Sequence, residues 1–94
     1  MVLLNLANLF LTFELRIISN IPHPKFTISI YSMNDKYIVK FEAGPMEQAY
    51  KMLQSEVAGV EGVKKIVDDF FLQEVTNRFN EMYLALKSTK ERNF

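Results

Sequence analysis

The sequence predicts a single α+β domain, in which an antiparallel three-stranded meander is followed by two C-terminal helices packed on one face of the sheet. Two observations support this fold class. Apolar and polar residues alternate with a period of two over residues 10–43, and the spacing becomes helical after residue 44. A chain of 94 residues is the length of one domain. The apolar pattern of residues 1–9 does not distinguish between a helix and a strand.

Three stretches carry the strand pattern: LTFELRI (11–17), KFTISIYS (25–32) and KYIVKFE (36–42). In each stretch the large apolar residues fall at every second position, so that they share one face of the strand. This is the pattern of an antiparallel sheet with one face on a core and the other in solvent. We therefore expect a meander whose apolar side is covered by the helices.

The connections agree with this arrangement. Asn and Asp tolerate a positive φ, so Asn34-Asp35 can form a two-residue hairpin loop. A four-residue loop over 20–23 would join the first two strands with their apolar faces on the same side. The expected pairs are Met33 with Lys36, Ile30 with Val39, Ile28 with Phe41, Ser19 with Pro24, Ile17 with Phe26, and Leu15 with Ile28.

A first helix is predicted over residues 45–58. Gly44 can serve as its N-cap, Pro45 suits the first helical position, and Gly59 is a reasonable end. The apolar residues between these limits follow an i, i+3, i+4, i+7 spacing. They are Met46, Ala49, Tyr50, Leu53 and Val57.

A long second helix is predicted over residues 60–88, with a flexible tail over 89–94. Its apolar residues form two stripes, and the second is turned by about a third of a circle from the first. The helix is therefore expected either to bend near Leu72–Glu74 or to pack its halves against different partners. The first stripe is Val60, Val63, Ile66, Val67, Phe70 and Phe71, and the second is Leu72, Val75, Phe79, Met82, Tyr83 and Leu86.

The second stripe is the candidate interface. If the first stripe covers the meander, five residues of the second need another partner: Val75, Phe79, Met82, Tyr83 and Leu86. That partner is either the apolar segment 1–9 or the same stripe of a second chain in an isologous contact. We therefore expect a non-enzymatic protein–protein interaction module, a homodimer or one half of a complex with another protein.

The amino-acid composition excludes several classes of function. The chain has no cysteine, which removes thiolate nucleophiles and cysteine metal sites and fits a reducing, cytoplasmic compartment. Eleven basic residues balance eleven acidic ones, so the basic stripe of a duplex-DNA binder is absent. The apolar run at residues 1–13 is too short to span a membrane.

The single histidine, His23, lies between Pro22 and Pro24. A metal site needs several ligands and a general base needs an orienting partner, and neither can be assembled around one histidine. Catalytic, cofactor and metal sites are therefore not predicted. We expect His23 to be an exposed turn residue, and the isomer state of both prolines is open.

Two alternative functions stay open. An outer sheet face that carries Arg16, Lys25, Tyr31 and Lys40 would combine cations with an aromatic ring, as in proteins that stack single-stranded nucleic acid. A pocket between sheet and helices would instead suit a regulator that binds a small molecule.

Overall fold

A computed structural model describes residues 15–94. Four antiparallel strands form one sheet in the order β1-β2-β3-β4, and two helices follow. The α+β fold is confirmed, with one strand more than predicted. Segment 1–9 and most of the first predicted strand (11–14) lie outside the described residues. The elements are β1 (Arg16–Ile21), β2 (Thr27–Met33), β3 (Lys36–Ala43), β4 (Met46–Leu53), a 3₁₀ turn (Gln54–Glu56), α1 (Gly59–Ile66) and α2 (Asp69–Asn93).

The β2–β3 hairpin has the predicted register. Met33 lies opposite Lys36, and the predicted pairs of Ile30 and Ile28 also form. Asn34 adopts a φ of 57°, the left-handed conformation that Asn tolerates better than most residues. The two-residue loop therefore brings the apolar sides of β2 and β3 onto one face, which we call the inner face.

The predicted register of the first strand is wrong. Ile21, and not Leu15, lies opposite Ile28, and the strand is displaced to Arg16–Ile21. Because Pro22 has no N–H to donate, regular pairing ends before it. The connection from 22 to 26 then leaves the sheet, so that Phe26 packs against α2 and does not pair with Ile17.

An irregularity in β1 adds to this error. The register shifts between Ile17 and Ser19, so that the alternation of faces is interrupted at Ile18. Such a bulge places one extra residue in one strand of an antiparallel pair. As a result, the strict alternation read from the sequence does not continue along β1.

The helix predicted over 45–58 is wrong, because this segment begins with β4. Gly44 has a φ of 58° and forms a two-residue turn with Pro45, which pairs Ala43 with Met46. A positive φ at the first central residue is the feature of a type II′ hairpin turn. Gly44 therefore reverses the chain and does not cap a helix.

The long helix predicted over 60–88 is two helices, separated at Val67–Asp68. The interruption lies at Asp68 and not near Leu72–Glu74. The Asp68 carboxylate accepts a hydrogen bond from the Phe71 N–H at 2.9 Å, which makes Asp68 the N-cap of α2. The helix then continues to Asn93, so the tail predicted to be flexible is helical almost to its end.

Members of both apolar stripes cover the same inner face, although Ile66 and Phe70 of the first stripe are exposed. The interruption at Asp68 changes the helical phase, so Val63 of the first stripe and Val75 of the second are both fully buried. The two helices thus close one core with the sheet. Its buried members are Phe26, Ile28, Ile30, Val39, Phe41, Val63, Val67, Val75 and Phe79.

A buried amide joins β4 to α2. The Gln48 side chain is 8% exposed, and its Nε2 donates to the Val75 carbonyl at 2.9 Å. The Tyr50 hydroxyl donates to Gln48 Oε1 at 3.0 Å and accepts from the Arg78 guanidinium at 3.3 Å. Because a buried amide without partners is costly, this network fixes where α2 crosses the sheet.

We expect Gln48→Ala to lower the free energy of unfolding by about 2 kcal/mol, because it removes the bond to Val75 and leaves the Tyr50 hydroxyl without its acceptor. Urea denaturation measures the change. Gln73→Ala is the control, since Gln73 bonds only to exposed Asn77. Its loss should stay within about 0.5 kcal/mol, and equal losses would contradict the role given to Gln48.

Asp68→Ala should lower the free energy of unfolding by about 1 kcal/mol, because the Phe71 N–H loses its acceptor. Asp68→Asn keeps a side-chain oxygen at the N-cap, so its stability should stay close to wild type. Thermal melting followed by circular dichroism compares the three proteins. If Asn were as harmful as Ala, the cap would not be what separates the two helices.

Candidate functional site

The predicted interface divides into two parts. Val75 is 0% exposed and Phe79 is 5% exposed, and both belong to the core of the single chain. They are therefore structural residues and offer no surface to a partner. Met82, Tyr83 and Leu86 continue the same stripe toward the C-terminus.

The path of α2 explains the division. Phe71 contacts the Tyr50 ring at 5.1 Å between centroids, and Val75 lies at Gln48, so α2 runs along β4 toward its first residue. Phe79 and Tyr83 then line a cleft with Met46, at the end of the sheet. Ten residues of helix follow Tyr83, a length of about 15 Å. The helix therefore continues past the sheet.

We call residues 83–93 the projecting end of α2. Among residues 15–94, Met82 is the last helix residue that packs against the core cluster. Tyr83 is 51% exposed and Leu84 is 62% exposed, while Leu86 is half-buried outside that cluster. The projecting end thus carries large apolar groups at positions where the sheet gives no cover.

The charges of α2 are unevenly distributed. Residues 69–81 contain three acids and one base, a net charge of −2, and residues 82–93 contain three bases and one acid, a net charge of +2. This distribution suits the dipole of the helix itself. It also gives the two halves opposite electrostatic character. The residues are Asp69, Glu74, Arg78 and Glu81 in the first half, and Lys87, Lys90, Glu91 and Arg92 in the second.

Two of the four residues of the proposed nucleic-acid face share the outer face of the sheet, and the other two lie elsewhere. Tyr31 and Lys40 lie on the outer face, with the Lys40 ammonium 5.4 Å from the ring centroid. Lys40 also forms an ion pair with Glu47 at 3.7 Å. The irregularity in β1 exchanges the two faces of that strand. Arg16 therefore lies opposite Ser32, on the inner face of the sheet. Lys25 lies in the β1–β2 connection beside α2.

His23 is half-buried and not exposed as predicted. Its ring stacks on Phe26 with centroids 4.1 Å apart, and Nδ1 accepts a hydrogen bond from the Lys25 N–H at 3.1 Å. The histidine therefore shapes the β1–β2 connection. Within residues 15–94, no cluster of three or more acidic or histidine side chains is suited to hold a metal ion.

Two adjoining clefts lie between the β1–β2 connection and α2, and both include Lys25 and Thr76. Their volumes are about 240 and 360 Å³. Sequence reasoning left a pocket between sheet and helices open as an alternative but named none of its residues, because the walls come from segments far apart in the chain and no local pattern joins them. The first is lined by Lys25, Phe26, Ala43, Met46, Thr76, Phe79, Asn80 and Tyr83, and the second by His23, Pro24, Lys25, Asp69, Leu72, Gln73 and Thr76.

Comparison with known proteins gives no relative: no family model, no curated protein and no solved structure matches this chain. Neither helix of the described segment combines the length and the apolar character needed to cross a bilayer. The arrangement of the side chains is therefore the basis for assigning a function.

Phe79→Ala should lower the free energy of unfolding by about 3–5 kcal/mol, because Phe79 fills the core beside Phe26. Leu86→Ala should cost less than about 1 kcal/mol in dilute protein, since Leu86 lies outside the core cluster. Urea denaturation at low protein concentration compares them. A loss for Leu86→Ala as large as that for Phe79→Ala would mean that the stripe is structural along its whole length.

Proposed function

We propose that this chain is a non-enzymatic protein–protein interaction module that forms a homodimer through the projecting end of α2. The observation that carries the proposal is the continuation of the core stripe past Met82 into Tyr83 and Leu86, which lie outside the core cluster. A short domain buries a limited share of its surface, and dimerisation is one way to bury more. The lack of cysteine supports a cytoplasmic location.

The charges of α2 favour a second copy as the occupant of this surface. When two copies of α2 lie antiparallel and meet at Tyr83 and Leu86, the basic residues Lys87, Lys90 and Arg92 of one helix lie beside residues 77–82 of the other, away from the same basic residues of that helix. The two helix dipoles are then also opposed, which is favourable. A parallel contact would instead align like charges. The stripe of one chain then meets the same stripe of the other, as in isologous dimers.

Single-stranded nucleic acid is the weaker candidate. Tyr31 and Lys40 are the members of the predicted set that share the outer face, and Lys40 is already paired with Glu47. One tyrosine is a small stacking surface compared with the several aromatic residues that such proteins use. A protein partner accounts better for the exposed apolar groups of α2.

Sedimentation equilibrium should give a dimer for the wild-type chain and a monomer for Leu86→Asp, because a carboxylate in the apolar contact would have to be desolvated. Ser88→Asp is the matched control. It adds the same charge to the projecting end, but Ser88 points about 160° away from Leu86 on the helix. It should therefore remain dimeric.

Circular dichroism establishes that both variants stay folded. A wild-type monomer at high concentration, or equal dissociation of Leu86→Asp and Ser88→Asp, would reject the proposed dimer.

A further inference from the structure

The first of the two clefts has the composition of a binding site for a small amphipathic molecule. Its floor is apolar, with buried Phe26 and Phe79 and half-buried Ala43 and Met46. A volume of about 240 Å³ has room for roughly eight non-hydrogen atoms, at about 30 Å³ for each water-sized group. The apolar part of a ligand of this size would be shielded from water on the floor.

Four of the residues that line the same cleft carry polar side-chain groups: Lys25, Thr76, Asn80 and Tyr83. Lys25 is its one charged lining residue and forms no ion pair within residues 15–94. Asn80 and Tyr83, which carry a side-chain amide and a hydroxyl, also line the cleft. Thr76 Oγ1 is already engaged, since it donates to the Leu72 carbonyl at 2.8 Å. A few polar groups above an apolar floor are the usual composition of ligand sites.

From this arrangement we infer that the cleft between Lys25, the β3–β4 turn and α2 binds a small carboxylate with a short apolar tail. The carboxylate lies at the Lys25 ammonium, where Asn80 and Tyr83 can donate hydrogen bonds to it. The tail lies on Phe26, Ala43 and Phe79.

The neighbouring cleft is a poor site for the same ligand. It contains Asp69, which would repel a carboxylate, and its lining is richer in polar groups. The charge pattern therefore confines an anion to the first cleft. This site does not depend on the dimer: Tyr83 borders both surfaces, but Leu86 is not part of the cleft.

The experiment is an NMR titration of the ¹⁵N-labelled full chain with hexanoate as the probe and hexanol as its uncharged counterpart. Hexanoate should saturate, with the largest shifts at the amides of Phe26, Ala43, Met46, Thr76 and Asn80. Hexanol should bind about five-fold more weakly, because it lacks the charge that Lys25 attracts.

Lys25→Gln should weaken hexanoate binding about five-fold and bring it close to that of hexanol. Lys51→Gln is the matched control, since Lys51 is an exposed lysine of β4 opposite Ile38 on the outer face. Ala43→Leu should abolish binding, because the larger side chain fills the floor. Leu86→Asp should bind as wild type does, so failure of the dimer leaves this test intact.

Three results would overturn the site. They are the absence of saturable shifts, equal affinity for hexanoate and hexanol, and equal effects of Lys25→Gln and Lys51→Gln. Shifts that concentrate on the projecting end of α2, with none in the cleft, would show non-specific apolar binding and would also reject it.

Discussion

The hydrogen bond from the Gln48 amide to the Val75 carbonyl is the constraint on which the arrangement of sheet and helix depends. A polar side chain on the buried face of β4 must be satisfied within the protein, and a helix carbonyl has a second lone pair that can accept it. Tyr50 of β4 and Arg78 of α2 complete this hydrogen-bond network. This network holds Val75 at Gln48 and so fixes the direction of α2 along β4. The last turns of α2 therefore extend past the end of the sheet.

The interruption at Asp68 determines which apolar residues remain for other contacts. A continuous helix would turn Val75 and Phe79 away from the face that buries Val63. Because Asp68 starts a new helix, all three residues enter one core. The surplus apolar surface is therefore smaller than the two stripes suggest: among the stripe residues, it consists mainly of Ile66, Phe70 and Tyr83. The two helices close the inner face of the sheet within the described residues.

The sequence predicts the fold class and the β2–β3 hairpin because both depend on local patterns, the alternation of faces and an Asn-Asp turn. The segment of β4 is wrongly predicted as a helix, because Met46 and Tyr50 are four residues apart and fit both a helical spacing and a strand alternation. Gln48, a polar residue between them, conceals the alternation of the strand. The polar residue is in fact buried by a partner 27 positions away. The clefts are beyond local reasoning for the same reason, since Lys25, Ala43 and Asn80 meet only after α2 has packed.

The two proposed surfaces use different chemistry, although they adjoin at Tyr83. The projecting end offers apolar side chains on a helix whose halves carry opposite charges, so a long complementary surface can cover it. The cleft instead offers an apolar floor of two buried rings beneath a single ammonium group, which favours a small anion. A ligand at Lys25 would contact the side of α2 next to the residues that are proposed to face a second copy. Tyr83 is the residue of the projecting end that also lines the cleft. Any coupling between ligand binding and association would pass through Tyr83, and it would be reciprocal in free energy.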